Sequence, residues 1–237
     1  MNTRNRIIDI KVNALNILDM PFSNNLLDKH NRIFSNVGNV AIRDLATYSI
    51  PLPQTNIKKA VYLDDSSYLS TPHDDLFNFA PPNQSSIMSF YLYLEQGTEA
   101  FPTILSHENI GHSGWLLYAK IATNELIFTY SFRDKTGNRN WTLSYPLGVL
   151  NNWIFVQMGT YGIQREWLNF GDLKANGIST NIRNFDVFGD NQDQPIVIGA
   201  RHSGLYKMKG YISNLRIDRG VHLPKERTNY KKLIYIP

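Results

Sequence analysis

The chain has 237 residues, 42% hydrophobic, 12% aromatic and 19% charged, and its 24 basic against 20 acidic residues give a formal net charge of +4. That is a globular, strand-favouring composition of a length that suits one large all-β domain. The charge excess is dispersed, with no basic run longer than Lys58-Lys59 or Lys231-Lys232, which speaks against a nucleic-acid-tracking stripe.

Cysteine is absent, so disulfides and thiolate metal sites cannot support the fold. No stretch reaches the ~20 apolar residues of a membrane span. Asp9, Lys11 and Asn13 interrupt what would be the apolar part of a signal peptide, so the expectation is a chain made in the cytoplasm without a leader.

Residues 6–18 alternate Ile8, Ile10 and Val12 with Asp9, Lys11 and Asn13, the period of a half-buried strand. Residues 1–16 are therefore read as a strand-forming arm. The run Lys59–Pro72, KAVYLDDSSYLSTP, places a turn at Asp64-Asp65 between two short strands. In Ser86–Glu95, Tyr91 and Tyr93 alternate with Phe90, Leu92 and Leu94, which predicts a strand with one core face and an aromatic outer face, or one buried on both sides. Further strands are expected at Thr103–Ser106, Gly114–Ile121, Glu125–Phe132, Asn140–Tyr145, Trp153–Gly159 and Gln164–Phe170, with turns at Gly111–Gly114, Asp134–Asn138 and Asn151-Asn152. Ile196–Gly199 and Lys209–Asp218 flank a polar connection containing Gly204, which reads as a hairpin. In its second run Tyr211, Ser213, Leu215 and Ile217 alternate with Ile212, Asn214, Arg216 and Asp218. Short strands at regular spacing, with few helix-like windows, predict an antiparallel two-sheet jelly-roll sandwich.

These runs resemble, in order, the LamG-like domains of the concanavalin A-like lectin/glucanase superfamily. Gly210-Tyr211-Ile212-Ser213-Asn214-Leu215-Arg216-Ile217 is similar to the family's closing strand, Gly114-Trp115-Leu116-Leu117 to its Gly-Trp strand, and Asn152-Trp153-Ile154-Phe155-Val156 to its Trp-His-Val-Ala strand. Trp167-Leu168-Asn169-Phe170-Gly171 is similar to its Leu-Tyr-Val-Asp-Gly strand and turn. Two departures stand out: Asp28-Lys29-His30-Asn31 replaces an Asp-Ser-Ser-Gly-like turn, and Asp65 replaces the Gly of Asp-Gly-Ser. The resemblance implies a concanavalin A-like domain over residues 17–220. Residues 221–237 are then a C-terminal arm ending in the strand-like Leu233–Ile236.

Catalytic motifs are missing from the sequence. His107 and His112 flank Glu108 at a spacing of five with Gly111 between, which is not H-E-x-x-H, and they are expected on a polar loop as two solvent-facing histidines of a binding surface. The superfamily's glucanases place carboxylates as E-x-D-x-x-E on one strand face; no such run occurs, nor does a G-x-S-x-G elbow or a phosphate loop. The protein is thus read as no enzyme, with a divergent glycosidase as the enzymatic alternative. Arg133, Arg201, His202 and Tyr206 occupy loop positions where cationic and aromatic groups can meet a glycan or a protein. No cofactor is expected except calcium, for which Asp64, Asp65, Asp190 and Asp193 are the hard-oxygen candidates. The expected role is a non-catalytic structural or attachment module of a virus particle, such as a phage tail or capsid-associated protein. Its expected partners are other virion or surface proteins within a larger assembly, and an extracellular or cell-surface location is the alternative. A carbohydrate-binding lectin module is the second functional reading.

Overall fold

A computed structural model describes residues 15–22, 24–77, 86–109, 113–134, 137–148, 150–163, 168–175, 178–185 and 193–219. The β-branched and aromatic runs of the sequence form fifteen strands among them. These are β1 (Leu15–Met20), β2 (Ser35–Val37), β3 (Ala41–Asp44), β4 (Lys59–Leu63), β5 (Tyr68–Thr71), β6 (Ser86–Leu94), β7 (Thr103–Asn109) and β8 (Ser113–Lys120). They continue with β9 (Glu125–Asp134), β10 (Gly137–Pro146), β11 (Trp153–Ile163), β12 (Leu168–Ala175), β13 (Ile178–Phe185), β14 (Ile196–Ile198) and β15 (Gly210–Arg219).

Two antiparallel sheets result. One runs β13-β12-β11-β6-β15-β4-β3 with β1 also paired to β15, and the other runs β10-β9-β8-β7-β14-β5-β2. β15 is the hub of the first: β6 lines one side of it, while its other side is shared by β4 at Gly210–Ile212 and β1 at Leu215–Arg219. Between the sheets lies a core that includes Leu18, Phe22, Leu63, Leu69, Phe90, Trp115, Leu117 and Ile198, all essentially inaccessible to solvent. Each such side chain contributes roughly 1.5–3 kcal/mol of burial. The expected all-β sandwich is the observed architecture.

Four local expectations come out differently. The runs read as a hairpin belong to opposite sheets, since β14 pairs with β5 and β7 whereas β15 pairs with β1, β4 and β6. The stretch between them is too long for a tight pairing turn, and Gly199, at φ +88 with Leu63 where a Cβ would stand, redirects the chain across the sandwich. Second, the alternation of β15 is not continuous, because the register against β6 shifts between Ser213 and Arg216 and Asn214 is left-handed at φ 50. Third, Gly171 lies inside β12, paired with Thr160 and Arg183, rather than at a turn. Fourth, β2, β3 and β13 had no counterpart in the strand reading. At Asp65 the turn is of a different type from the family's Gly turn, since Asp65 is not left-handed. Asp64 organises that turn, accepting from the Ser66 N–H at 2.9 Å and the Ser66 hydroxyl at 2.8 Å. Of the N-terminal arm, Leu15 and Asn16 lie in β1; residues 1–14, the C-terminal arm 221–237 and the Gly111-His112 turn lie outside the described residues.

Candidate functional site

The segment between β14 and β15 is fixed by its own backbone. Arg201 N–H donates to Leu205 O and Met208 N–H to Gly199 O, both at 2.8 Å, Gly204 N–H donates to Arg201 O at 2.9 Å, and Thr103 N–H donates to Tyr206 O at 2.7 Å. Gly204, at φ +74, lets the chain press against the Tyr68 ring, where a Cβ would come within 2.8 Å. Two non-glycine residues here are also left-handed, Ser203 at φ 67 and Tyr206 at φ 52. Such backbone is sterically costly for an aromatic residue and persists only where the surroundings hold it.

The outcome is an ordered tip that turns apolar side chains outward. Leu205 is 50% exposed, Tyr206 41%, and Phe101, two residues before the Thr103 amide that binds Tyr206, is 44% exposed. The tip continues into the outer face of the second sheet, since Gly204 touches Tyr68 and Tyr68 pairs with the exposed Val37 of edge strand β2. Exposed Ile33 and Leu27, bridged to each other, lie just before β2. Exposed large apolar side chains gathered at the tip, rather than scattered singly, are the mark of an interaction surface.

Of the residues singled out in the sequence, Arg201, His202 and Tyr206 lie together in this segment. Arg201 is anchored: its guanidinium grips both carboxylate oxygens of Glu108, which is buried on β7. His202 is half-buried. Tyr118, on β8 beside this pair, has its phenol pushed above the ordinary value by burial, with a hydrogen bond from Thr129 and the Arg201 charge pulling the other way. Arg133 belongs to β9, opposite Asn138, and so is not a hairpin-tip residue; its side chain and all of His112 lie outside the described residues.

His107 overturns its expected place in a solvated loop. It is on β7, in register with Trp115 and 0% exposed, with its ring 5.5 Å from that of Trp115 and 6.1 Å, edge-on, from that of Phe77. A histidine in a polar-looking sequence becomes core because strand alternation carries it to the same face as Leu105. Burial, followed by the charge of His73, pushes its imidazole down to about 3, against a smaller opposing contribution from the Gln194 backbone.

The calcium candidates are dispersed in function. Asp64 caps its own turn, Asp65 accepts from the Thr98 N–H at 3.2 Å, and Asp193 accepts from the Gln194 side-chain amide at 2.9 Å; Asp190 lies outside the described residues. Among the described residues no three of His, Cys, Asp and Glu gather as a metal-binding group.

One further surface was only partly legible in the sequence. On the outside of the first sheet, Tyr62, Tyr93 and Tyr211 pack with Trp153 beneath Leu45 and Ile50, as the Tyr alternation of β6 predicts. Arg43 lies 3.5 Å over Tyr62 and 4.4 Å over the half-exposed Tyr48. Tyr48 follows Arg43 in the turn after β3 and Tyr62 lies on the paired strand β4, and no signal in the sequence marks this stacking.

No protein-family model matches the chain, and no curated protein matches it. Its fold is similar to solved receptor-binding domains of botulinum neurotoxins. The C/D mosaic serotype domain superposes with TM-score 0.61 at 16% identity, covering 88% of this chain and 48% of that one. The serotype G binding domain gives 0.60 at 14%, covering 89% and 49%. The serotype DC binding domain, solved in complex with rat synaptotagmin II, gives 0.59 at 18%, covering 88% and 49%. The chain thus spans about half the length of the domains it matches. At these identities the likeness is one of fold.

Proposed function

We propose that this chain is a non-catalytic binding module that attaches to a protein on another surface through the Phe101, Leu205 and Tyr206 tip. The observation that carries the reading is the exposure of Leu205 and Tyr206 on a hydrogen-bonded segment that holds Tyr206 left-handed. A pre-ordered aromatic anchor binds without the entropic cost of ordering a loop, and aromatic residues dominate protein hot spots. Support of a general kind comes from the fold neighbours: one was solved with rat synaptotagmin II, and another is described as entering cells in dependence upon two ganglioside molecules. The latter, together with the open Tyr206 ring as a platform for a sugar face, favours a glycan ligand as the second reading. Location on a virus particle, or at a cell surface, belongs to the same proposal and rests on the sequence alone.

The test is binding of labelled protein to a panel of cells and purified particles, untreated, protease-treated or glycosidase-treated, with Leu205→Ser/Tyr206→Ala as control. Binding that protease and the double substitution both abolish supports a protein partner, and loss on glycosidase treatment alone moves the assignment to a glycan. Equal binding by wild type and variant, or none to any surface, removes the tip as the site.

A further inference from the structure

We propose that the outer face of the first sheet carries a binding site for an acidic sugar, in which the guanidinium of Arg43, held over the rings of Tyr48 and Tyr62, takes the carboxylate and the exposed ring of Tyr48 takes the face of the sugar.

Strand register and a tight turn build the site. Arg43 on β3 opposes Ala60 on β4, and alternation puts Tyr62, two residues further along, on the same face. Across the small Ala60 side chain the arginine reaches Tyr62, and its guanidinium carbon lies 3.5 Å from the centre of that ring. Residues 45–49 then turn the chain back so that the Tyr48 ring lies 4.4 Å from the same carbon. That turn is hydrogen-bonded throughout. Asp44 Oδ1 accepts from the Ala46 and Thr47 N–H groups at 3.1 and 3.4 Å, Ser49 N–H donates to Ala46 O at 3.1 Å, and Ile50 N–H donates to Leu45 O at 2.9 Å. Both rings attract the cation, so the arginine is positioned before any ligand arrives.

Counting donors shows what the arrangement leaves open. A guanidinium has five N–H groups and accepts nothing. Nη1 gives one to the Tyr211 hydroxyl at 3.3 Å, and the Nε–H is buried without a partner. The other three, one on Nη1 and two on Nη2, meet no acceptor among the described residues, and no described carboxylate pairs with Arg43. The open edge is the Nη1/Nη2 edge, whose parallel N–H groups match the two oxygens of a carboxylate. Arg43 is partly buried, so its charge has already given up water, and an anion there supplies a partner without displacing one.

The neighbouring acids are committed elsewhere. Asp44 holds its own turn, Asp64 binds Ser66, and Glu95 faces Lys209 at 3.9 Å. Beside the open edge, Tyr48 is 50% exposed and offers a ring surface to a sugar face. A simple carboxylate would use Arg43 alone, whereas a sugar acid uses both groups. The site is of the glycan class but depends on neither reading of the tip, since Arg43 lies on the first sheet and the tip continues into the second.

The test follows the Arg43 Nε nitrogen–proton signal of the full chain, which burial protects from exchange and which its loss in Arg43→Lys assigns. Wild type is titrated with glucuronate, galacturonate, acetate and glucose. The two uronates should shift the signal at millimolar concentration and glucose should not. Acetate should bind about tenfold more weakly, the share that ring stacking contributes. Tyr48→Ala, which removes an exposed ring and so leaves the fold intact, should bring the uronates down to the level of acetate. Leu205→Ser/Tyr206→Ala should titrate as wild type does, which separates this site from the tip. No shift with any carboxylate, glucose acting as well as glucuronate, or Tyr48→Ala titrating like wild type overturns the proposal. An aspartate-rich peptide that shifts the signal at lower concentration than either uronate overturns it too, and assigns the site to a protein ligand.

Discussion

Ile212 and Leu215, three residues apart on β15, both face the interior of the sandwich and are 0% exposed. In an unbroken strand they would point to opposite faces. The reversal is a bulge: Ser213 opposes Tyr91 and Arg216 opposes Ser89, so Asn214 and Leu215 together face Phe90 alone. Ahead of the bulge Tyr211 joins the outer aromatic cluster, and beyond it Leu215 and Ile217 join the core. Ile212→Ala and Leu215→Ala should therefore each cost about 2–5 kcal/mol in chemical denaturation. A normal cost for one and a negligible cost for the other would restore simple alternation.

The same bulge depends on Asn214 at φ 50. Asn214→Gly should be nearly neutral, whereas Asn214→Val, β-branched in left-handed backbone, should lose about 1–3 kcal/mol. Equal stability of the two variants would mean that the strand can re-register without the bulge.

The sandwich was legible because Phe90, Leu92 and Leu94, and Leu105 and Leu117, sit at the spacing that puts them on core faces. Less legible was anything set by partners distant in sequence. His107 looks polar and loop-like beside Glu108, and only the pairing of β7 with β8 places it against Trp115. Arg201 looks free for a ligand until Glu108 comes across from β7 to bind it. Ile196–Gly199 and Lys209–Asp218 carry a hairpin's local signal, and no local signal tells a turn within one sheet from a passage between two. Tyr206 was found because aromatic and cationic residues stand out in a glycine-containing connection, but its left-handed backbone was not.

Arg201 and Glu108 form a pair whose carboxylate is buried while the arginine side chain is 26% exposed. Replacing Arg201 by Met strands a buried carboxylate and should cost about 3 kcal/mol, the low end for breaking a buried pair, because water still reaches that side. Glu108→Gln in the Arg201→Met background should recover much of the loss, since the neutral amide needs no counter-charge. A double mutant as unstable as the sum of the singles would show that the two residues stabilise the tip independently.

The tip itself should separate binding from folding. Leu205→Ser and Tyr206→Ala remove exposed surface, so thermal stability should change by less than about 0.5 kcal/mol while binding falls. Tyr206→Gly is the sharper control, since glycine suits φ 52 and removes strain of order 1 kcal/mol while deleting the ring. It should fold at least as well as wild type and bind no better than Tyr206→Ala. Retained binding in Tyr206→Gly would show that the backbone of the tip, rather than the ring, makes the contact.

His107 contributes to the acid side of the stability profile. Folding takes its imidazole from 6.5 down to about 3, chiefly through burial, so the folded protein keeps it neutral where the unfolded chain protonates it. The sign follows: the unfolded state binds the extra proton, stability falls as pH decreases below about 6.5, and the loss approaches ~4–5 kcal/mol by pH about 3. His107→Leu, close in shape and unable to titrate, gives up the contact with His73 and should be less stable than wild type near neutrality. It should lose stability less steeply on acidification, so that the gap narrows as pH falls. Denaturant titrations of both proteins at several pH values between about 7 and 4 measure this directly. A gap that stays constant would mean that His107 is not the group whose protonation unfolds the sandwich.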